Sequence, residues 1–298
     1  MRIILTGSSG FVGQNLQPFL AENGFEIIRL SLRDEWEQNL HTQCNAIIHL
    51  AGKAHDTKNT SAAQEYFEIN TGLTKQLFER FLQSNARDFI YFSSVKAAVD
   101  TIVGVLDEGV VSCPQTPYGQ SKWQAEQYLN SQLLPAAKRL FIFRPCMIHG
   151  PGNKGNLNLL YNVVSKGIPY PLAAFENKRS FLSIGNLQFI IKRILKNPDI
   201  PGGTYNLADD QTLSTNELIK LIGEAKGKKA ILWKIPSDLI RSVAKLGDSL
   251  KLPLNSERLK KLTESYEVSN ERIKHALKID QMPISAREGL LNTLRSFD

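Results

Sequence analysis

The chain has 298 residues, and its 42% hydrophobic and 22% charged residues are typical of a globular protein with one large domain, or a large domain and a smaller lobe. No apolar run reaches membrane-spanning length and no charged segment leads into an apolar leader, so we expect a cytoplasmic protein without a membrane span. The cysteines Cys44, Cys113 and Cys146 lack the spacing of a disulfide framework or of metal ligands, which predicts reduced thiols and no metal.

Lysine and arginine total 36 against 29 aspartate and glutamate, a formal net charge of +7. The basic residues are spread along the chain, with modest concentrations at 226–229 and 258–261 that lack the interleaved aromatics of a single-strand binder. The charge therefore predicts no nucleic-acid partner, and it suits a small anionic ligand such as a nucleotide diphosphate.

The first predicted elements are a buried strand over 2–5 and a helix beginning at Phe11, with a glycine turn between them. In such a setting Gly7 permits the tight turn, Gly10 lets the backbone approach a pyrophosphate, and Gly13 lets the helix pack close to the strand. The helix N-terminus then offers free N–H groups and the positive end of its dipole to phosphates. The spacing alone also fits an ordinary glycine-rich turn.

Strand and helix patterns alternate through the first half, with strands at 26–30, 46–50, 89–92 and 140–143 and helices at 62–84 and 117–133. This alternation predicts an α/β fold with a Rossmann-type, doubly wound parallel sheet. Residues 31–45 are too few for a complete α-β-α crossover.

After residue 150 the strands shorten and helical patterns recur at 214–225, 237–248 and 285–296. We expect a dinucleotide-binding domain over 1–150 and a smaller, mostly helical substrate lobe over 151–298. The two are partly interleaved, because residues 205–207 can return as a strand of the main sheet.

Tyr118 and Lys122 lie four residues apart on a predicted helix, where they share one face. An ammonium beside a phenol stabilises the phenolate, so we expect the pKa of Tyr118 to fall from about 10 toward working pH. A tyrosine so tuned can exchange the proton when a carbonyl and an alcohol interconvert. Ser94 ends a predicted strand, where open α/β sheets bind ligands. Chance spacing of Tyr118 and Lys122, and helix capping by Ser93 or Ser94, are the alternatives.

Five motifs occur in order, TGSSGFVG at 6–13, HLA at 49–51, FSS at 92–94, PYGQSK at 117–122 and RPCMIHGPG at 144–152. Together they resemble the extended short-chain dehydrogenases/reductases of the NAD-dependent epimerase/dehydratase family, over nearly the whole chain.

The resemblance implies a catalytic triad of Ser94, Tyr118 and Lys122, in which Tyr118 is the acid/base and Lys122 also binds the nicotinamide ribose. Asn70 matches a family residue that supports the site and the cofactor. The other implied cofactor contacts are Gly7, Ser9, Gly10, Phe11, Val12, Gly13, Leu50, Ala51, Gly52, Pro145 and Ile148.

The second lobe of this family holds a nucleotide-diphosphate sugar, and Lys154, Asn156, Lys178 and Arg179 occupy the corresponding positions. Arg179 is the diphosphate candidate, because a guanidinium can bind two phosphate oxygens. A solvated surface residue is the alternative. Lys96 is a further substrate candidate.

Two departures from the family pattern matter. Val95 and Lys96 follow Ser94 where dehydratases carry an Asp-Glu pair, so 4,6-dehydration is not expected. Members that prefer NAD carry an acid after the second strand, whereas Ser31 and Arg33 stand there in this chain and suit a 2′-phosphate. NADP(H) is therefore favoured as cofactor, with NAD(H) left open.

The sequence predicts NAD(P)-dependent oxidoreduction at C4 of a nucleotide-diphosphate sugar, as in polysaccharide biosynthesis. A 4-keto-sugar reductase is the first choice, and a 4-epimerase of the UDP-glucose or UDP-N-acetylglucosamine type is the alternative. A non-catalytic dinucleotide sensor is remote, because Tyr118 and Lys122 are both present. A homodimer is left open.

Overall fold

The computed structural model describes residues 1–33, 35–39, 43–53, 62–153, 155–250 and 255–297. Its strands are β1 (Arg2–Thr6), β2 (Glu26–Leu30), β3 (Ala46–His49), β4 (Asp88–Phe92), β5 (Val105–Leu106), β6 (Arg139–Pro145), β7 (Met147–His149), β8 (Phe181–Ser183), β9 (Gly203–Leu207) and β10 (Glu267–Val268). Six of them form one parallel sheet in the order β2-β1-β3-β4-β6-β9, while β5 pairs with β10 and β7 with β8. The predicted doubly wound parallel sheet is confirmed.

The helices are α1 (Phe11–Glu22), α2 (Ala63–Tyr66), α3 (Leu73–Gln83), α4 (Pro117–Ser131), α5 (Asn156–Ser165), α6 (Ile184–Lys196), α7 (Thr215–Ala225), α8 (Ser237–Leu250), α9 (Ser256–Thr263), α10 (Glu271–Leu277) and α11 (Ala286–Arg295). A π-helical segment, Phe67–Gly72, joins α2 to α3. The sequence predicted one regular helix over 62–84, and this local widening is a correction to that prediction. Within the described ranges, no helix is both long and apolar enough to cross a membrane.

Helices cover both faces of the sheet, which is why its strands read as continuous apolar runs. On one face, Leu77, Phe78 and Phe81 of α3 pack against Phe89. On the other face, α1 and α6 pack together in a second group of buried side chains. The amphipathic pattern of α6 was not recognised in the sequence, although its isoleucines recur at helical spacing.

The strand order places β2 on one side of β1 and β3 on the other. In open α/β sheets, ligands bind at the carboxyl ends of the strands where the order reverses in this way. The predicted short connection between β2 and β3 is confirmed, since its described residues contain one 3₁₀ turn, Glu37–Asn39. The reversal leaves a crevice beside the glycine turn.

A separate core lies among α5, α7, α8 and α11, where Leu157, Ile219, Ile240 and Leu290 are buried together. Strand β9 returns to the main sheet beside β6, as the sequence indicated for residues 205–207. The division into 1–150 and 151–298 stays a prediction.

Candidate active site

The glycine turn follows β1 and lies against the end of β3. Gly7 has φ +67°, and a Cβ added to it would lie 2.6 Å from the amide nitrogen of Ala51. A Cβ at Gly13 would lie 2.5 Å from the carbonyl oxygen of Gly7, so both positions require glycine for close backbone contact. Among the described residues, a Cβ at Gly10 would meet only the Gly7 carbonyl oxygen, at 3.3 Å. Gly10 therefore begins α1 facing open space, which fits a group that needs backbone N–H donors and room, such as a pyrophosphate.

The remaining residues expected in the turn lie around the first turn of α1. Val12 packs against the core beside β1, and the carbonyl oxygen of Ser9 accepts a hydrogen bond from Gln14. Phe11 lies close to Gly150, because a Cβ there would come within 3.4 Å of its ring. The last resembling motif therefore reaches the same edge of the sheet, with Pro145 at the end of β6 and Ile148 in β7.

The segment after β3 connects the glycine turn to the catalytic residues. Leu50 and Ala51 are half-buried beside Gly7, and Gly52 is exposed. A Cβ at Gly52 would lie 2.8 Å from Asn70 Oδ1 and 3.0 Å from Lys122 Nζ. The expected cofactor contacts and the expected triad are therefore neighbours.

Asn70 lies in the π-helical segment and is fully buried. Its Oδ1 accepts from the amide of Lys53 at 2.8 Å, and its Nδ2 donates to the carbonyl of Lys53 at 3.1 Å and to Ser121 Oγ at 3.0 Å. Asn70 thus ties the end of β3 to α4. Widened turns of this π-helical kind are frequent at functional sites, and this one carries Asn70.

The residues of the expected triad lie just after β4 and in the first two turns of α4. Thr116 caps α4, and Pro117 at its first position starts the helix that carries Tyr118 and Lys122. Ser94 follows β4, and its hydroxyl lies close enough to the Tyr118 phenol to act on the pKa of that phenol. Ser94 also accepts from the amide of Lys96 at 3.2 Å, so the capping alternative holds alongside the contact with tyrosine.

The expected fall in the pKa of Tyr118 is wrong. Burial raises the pKa of this phenol, and the nearby Ser94 hydroxyl offsets that effect only in part. The Lys122 ammonium instead donates to the carbonyl of Phe92 at 2.9 Å and lies 5.0 Å from the ring centroid of Tyr91. Helical spacing placed Lys122 on the correct face of α4, but its side chain extends to β4.

Lys122 is itself strongly perturbed. Burial lowers its pKa to about 8, and the Glu126 carboxylate opposes that shift. Glu126 is held by Arg144, whose Nε lies 3.0 Å from each carboxylate oxygen, in an ion pair that is buried on both sides. The pair fixes α4 against β6, one helical turn beyond Lys122. Neither residue was assigned a role from the sequence, and Arg144 appeared there only as part of a motif.

A buried hydrogen-bond chain behind the crevice was also missed. The Ala51 amide donates to Thr6 Oγ1 at 3.1 Å, which lies 2.8 Å from His49 Nδ1. His49 Nε2 lies 2.9 Å from Thr74 Oγ1, which donates to the Asn70 carbonyl at 2.7 Å.

The hydrogen bonds around His49 determine its tautomer. The Thr74 hydroxyl proton is directed to Asn70, so His49 Nε2 carries the hydrogen and Nδ1 accepts from Thr6. Burial, helped by the charge of Lys122, lowers the pKa of His49 to about 3 and keeps the imidazole neutral. The signal in the sequence was a histidine ending an otherwise apolar strand.

Ser31 and Arg33 lie on the other side of the glycine turn. Thr6 pairs with Leu30 in the sheet, so Ser31 begins the loop beside the turn. Both side chains are exposed, and the Arg33 amide donates to Ser31 Oγ at 3.4 Å. Both residues therefore lie on the edge of the sheet where the predicted cofactor would bind.

The expected substrate residues include two cations, Lys96 and Arg179. The Lys96 ammonium donates to the Asp100 carbonyl at 2.6 Å and lies 4.1 Å from the ring centroid of Tyr266. Arg179 donates to the carbonyls of Lys261 and Glu264 at the end of α9.

These cations influence one another. Burial lowers the pKa of Lys96, and the charges of Arg179 and Lys261 lower it further, while Glu264 and Asp100 oppose them. Lys178 is exposed, Lys154 lies outside the described residues, and the side chain of Asn156, at the start of α5, lies outside them too. Lys96 and Arg179 therefore lie in a group of mixed charge with Glu264 and Asp100, and Lys96 follows Ser94 by two residues.

The model of the family described as NAD dependent epimerase/dehydratase matches residues 3–208. A UDP-glucose 4-epimerase of Vibrio cholerae is 30% identical, over 99% of this chain and 95% of that protein. A UDP-2-acetamido-2,6-beta-L-arabino-hexul-4-ose reductase of Pseudomonas aeruginosa is 27% identical, over 90% of this chain and 68% of that protein. Among solved structures, that of RMD from Pseudomonas aeruginosa complexed with NADPH superposes with a TM-score of 0.72 at 20% identity, covering 99% of this chain and 97% of that one.

The chain belongs to the NAD-dependent epimerase/dehydratase family and is an enzyme of the extended short-chain dehydrogenase type. The family predicted from the motifs is confirmed, and the sensor alternative is set aside. Its relatives include both an epimerase and a reductase of nucleotide sugars.

Proposed function

We propose that this enzyme carries out NAD(P)-dependent oxidoreduction at C4 of a nucleotide-diphosphate sugar in the cytoplasm, and that it acts first of all as a 4-keto-sugar reductase. The observation that supports this most is the proximity of Ser94, which follows β4, to Tyr118, at the start of α4, on the side where the glycine turn lies. Family membership supplies the redox chemistry, and this pair supplies the proton chemistry that C4 requires.

When bound, a nicotinamide cofactor would supply or accept the hydride. In the reductive direction Tyr118 gives its phenolic proton to the C4 oxygen, and Ser94 orients that oxygen with a second hydrogen bond. The raised pKa of Tyr118 supports this direction, because the phenol stays protonated at neutral pH and begins as an acid. A proton from water then restores the phenol. The expected role of Lys122 at the nicotinamide ribose is supported by its place beside Gly52, while its ammonium is held by the Phe92 carbonyl.

Asn70 and the carbonyl of Phe92 keep this group in place. Asn70 holds the end of β3 beside Lys122, and the Phe92 carbonyl binds the ammonium. The assignment of the triad rests on these contacts together with the family resemblance. Positioning of this kind matters because a small displacement of the proton donor from the reacting oxygen lowers the rate steeply.

The proposed cofactor is NADP(H). Arg33 and Ser31 lie where a 2′-phosphate would be bound, and the Pseudomonas aeruginosa RMD structure contains NADPH, whereas the family description names NAD. We expect NADPH to bind more tightly than NADH, by about 1.5–3 kcal/mol for a charge-assisted contact. Titrating both cofactors into the unmodified protein and Arg33→Ala measures the preference, and equal affinities in the unmodified protein would exclude this role of Arg33.

The proposed nucleotide is UDP. Both curated relatives compared above are named for UDP-sugars. Lys96 follows Ser94 by two residues and lies within electrostatic reach of Arg179, which supports a diphosphate site that would bring the sugar to Tyr118. Asn156 stays a predicted substrate contact, and its side chain lies outside the described residues.

A UDP-sugar 4-epimerase is the second candidate, and the 30% identical Vibrio cholerae relative favours it. An epimerase oxidises and then reduces the same C4 atom and consumes no cofactor overall. A reductase oxidises one NADPH for each sugar reduced.

The experiment that separates the two incubates the enzyme with a UDP-4-keto sugar and NADPH, and in parallel with UDP-glucose or UDP-N-acetylglucosamine without added cofactor. We expect NADPH to be consumed in equal amount to the alcohol formed in the first reaction, and no 4-epimer in the second. Epimer formation without cofactor consumption would reverse the order of the two candidates. Inactivity in both reactions would overturn the proposed substrate class.

A further inference from the structure

The positive charge of the protein is concentrated in one stretch. Between residues 225 and 263 there are ten lysines and arginines against three aspartates and glutamates, a net charge of +7, while the rest of the chain carries 26 of each sign. Eight of the ten basic side chains are exposed in the described part of this stretch. We call residues 225–263 the basic segment.

Helix α8 lies within the basic segment and exposes an apolar stripe. Leu239, Val243 and Leu246 recur at spacings of four and three residues, which places them on one helical face. They are 57%, 44% and 56% exposed. We call these three residues the α8 stripe. A contiguous apolar face on the surface of a soluble domain marks a site of interaction more often than three isolated exposed residues would.

The stripe is not the face that holds α8 to the protein. Ile240 and Ala244 are buried in the core shared with α5, α7 and α11, and Gly247 is buried on the same face one turn further. The stripe lies next to that buried face, and the rest of the described exposed surface of α8 carries Arg241 and Lys245 together with Asp238, Ser242 and Asp248. The helix is therefore fixed in orientation, with its apolar stripe directed outward.

We propose that the α8 stripe and the basic segment dock onto the surface of an anionic lipid bilayer. A surface-bound amphipathic helix buries apolar side chains among the acyl chains and keeps basic side chains at the level of the phosphates, and long Lys and Arg side chains can reach that level from beside the apolar face. Anionic headgroups complement the charge of this segment. Just before α8, Trp233 is 54% exposed, and tryptophan is enriched at the membrane interface.

The charge disfavours the other occupants. Two copies of this chain meeting at the α8 stripe would bring two segments of net charge +7 together, which is repulsive at low salt. Nucleic acid would satisfy the charge but not the aliphatic stripe, since single-strand binders use aromatic side chains for base stacking. An anionic bilayer satisfies both features.

The test is co-flotation of the full-length enzyme with vesicles of phosphatidylcholine mixed with phosphatidylglycerol, compared with vesicles of phosphatidylcholine alone. We expect at least about ten-fold stronger binding to the anionic vesicles, and weaker binding as salt is added. The triple variant Leu239→Ser, Val243→Ser, Leu246→Ser should lose at least about ten-fold of that binding.

The matched control replaces three exposed aliphatic residues elsewhere, Val103→Ser, Val111→Ser and Leu133→Ser, and should bind as the unmodified protein does. Circular dichroism and cofactor titration verify that each variant is folded. A second variant, Lys228→Glu with Lys229→Glu, tests the charge without touching α8 and should also weaken binding.

Three outcomes would overturn the proposal. They are no binding to the anionic vesicles, unchanged binding by both the stripe variant and the charge variant, and a dimer in solution that the stripe variant converts to monomer, which would make the occupant a second copy. None of these outcomes depends on the enzyme's substrate, so the proposed function can stand or fall separately.

Discussion

The carboxyl edge of the sheet, next to Tyr118, and the outer face of α8 differ in how their side chains are paired. We call the first region, which includes His49, Asn70, Ser94 and Tyr118, the catalytic edge. At the edge, buried polar groups such as Asn70 and His49 find their partners within the protein. On α8, the exposed aliphatic side chains lie beside exposed charged residues of both signs, within a segment that is basic as a whole. The first region is determined by its internal hydrogen bonds, and its chemistry can be read from them. The second is determined by what lies outside the protein, so only a binding experiment can define it.

This difference predicts where substitutions change the reaction. Changes at the catalytic edge should alter rate or stability strongly, whereas changes on α8 should leave both nearly unaltered. The largest effect is expected at the centre of the catalytic edge, and the smallest between that edge and the basic segment.

Tyr118→Phe should produce the largest effect. The substitution removes the proton that C4 requires and keeps the ring and its edge-on contact with Tyr66. General acid/base catalysis contributes about 10²–10⁴-fold, so the single-turnover rate with an accepted nucleotide sugar should fall by that factor. Cofactor affinity should change little, because the phenol acts on the reacting oxygen.

Tyr128→Phe is the matched control. Tyr128 lies on the same helix, and its hydroxyl donates to Glu79 at the surface, at 2.9 Å. Its loss should leave the rate unaltered. If Tyr118→Phe kept the original rate, Tyr118 would not be the proton donor, and the catalytic edge would be no more sensitive to substitution than α8.

The candidate catalytic residues could be proposed from the sequence because their signals are local. The glycine spacing, the strand that ends at Ser94 and the four-residue interval between Tyr118 and Lys122 all depend on neighbours along the chain. The direction of the Lys122 side chain depends on the Phe92 carbonyl, 30 residues away, and no periodicity encodes it. The π-helical segment and the His49 chain were missed for the same reason, since both exist only when β3, α3 and α4 are packed.

In the second half of the chain the same limit was more severe. The helices α7, α8 and α11 were predicted, because each carries a clear amphipathic repeat. The sequence did not predict which side of α8 is buried. Leu239 and Ile240 are both aliphatic, and only packing against the second core buries Ile240 and leaves Leu239 exposed. Likewise, the hydrogen bonds of Arg179 to the end of α9 join residues more than 80 positions apart.

The next largest effect concerns stability and pH at His49. The imidazole is neutral in the folded protein because burial lowers its pKa to about 3, whereas an unfolded histidine titrates near 6.5. Between these values the unfolded state binds one more proton, so the free energy of unfolding should fall as pH falls from about 6.5 toward 3. The loss from this one residue should approach about 4–5 kcal/mol at the acid limit, at 1.36 kcal/mol for each pKa unit.

Denaturant unfolding at a series of pH values measures this slope in the unmodified protein and in His49→Gln. The variant lacks the titrating group, so its slope should be shallower, although it starts less stable. His275→Gln, at an exposed position in α10, should keep the original slope. Parallel slopes for all three proteins would mean that the buried chain behind the crevice does not couple to protonation.

The smallest effect is expected at Arg179, which lies between the catalytic edge and the basic segment. Its guanidinium donates to carbonyls at the end of α9, within the basic segment, and its charge also acts on Lys96 beside Ser94. If the same guanidinium also binds the diphosphate, Arg179→Ala should weaken UDP binding by about 1.5–3 kcal/mol, or roughly ten- to hundred-fold. Calorimetric titration with UDP measures it, with the exposed Arg241→Ala of α8 as the control that should bind UDP normally.

A second readout separates the two roles of Arg179. Arg179→Ala also removes two hydrogen bonds from the end of α9, so the thermal midpoint should fall somewhat, whether or not a diphosphate binds there. Arg179→Lys keeps the charge but loses the two-pronged geometry, and should therefore recover part of the UDP affinity. Unaltered UDP binding in Arg179→Ala with a lower midpoint would assign Arg179 to the support of α9 alone. The nucleotide would then have to be bound by other residues, and the catalytic edge would end at Ser94.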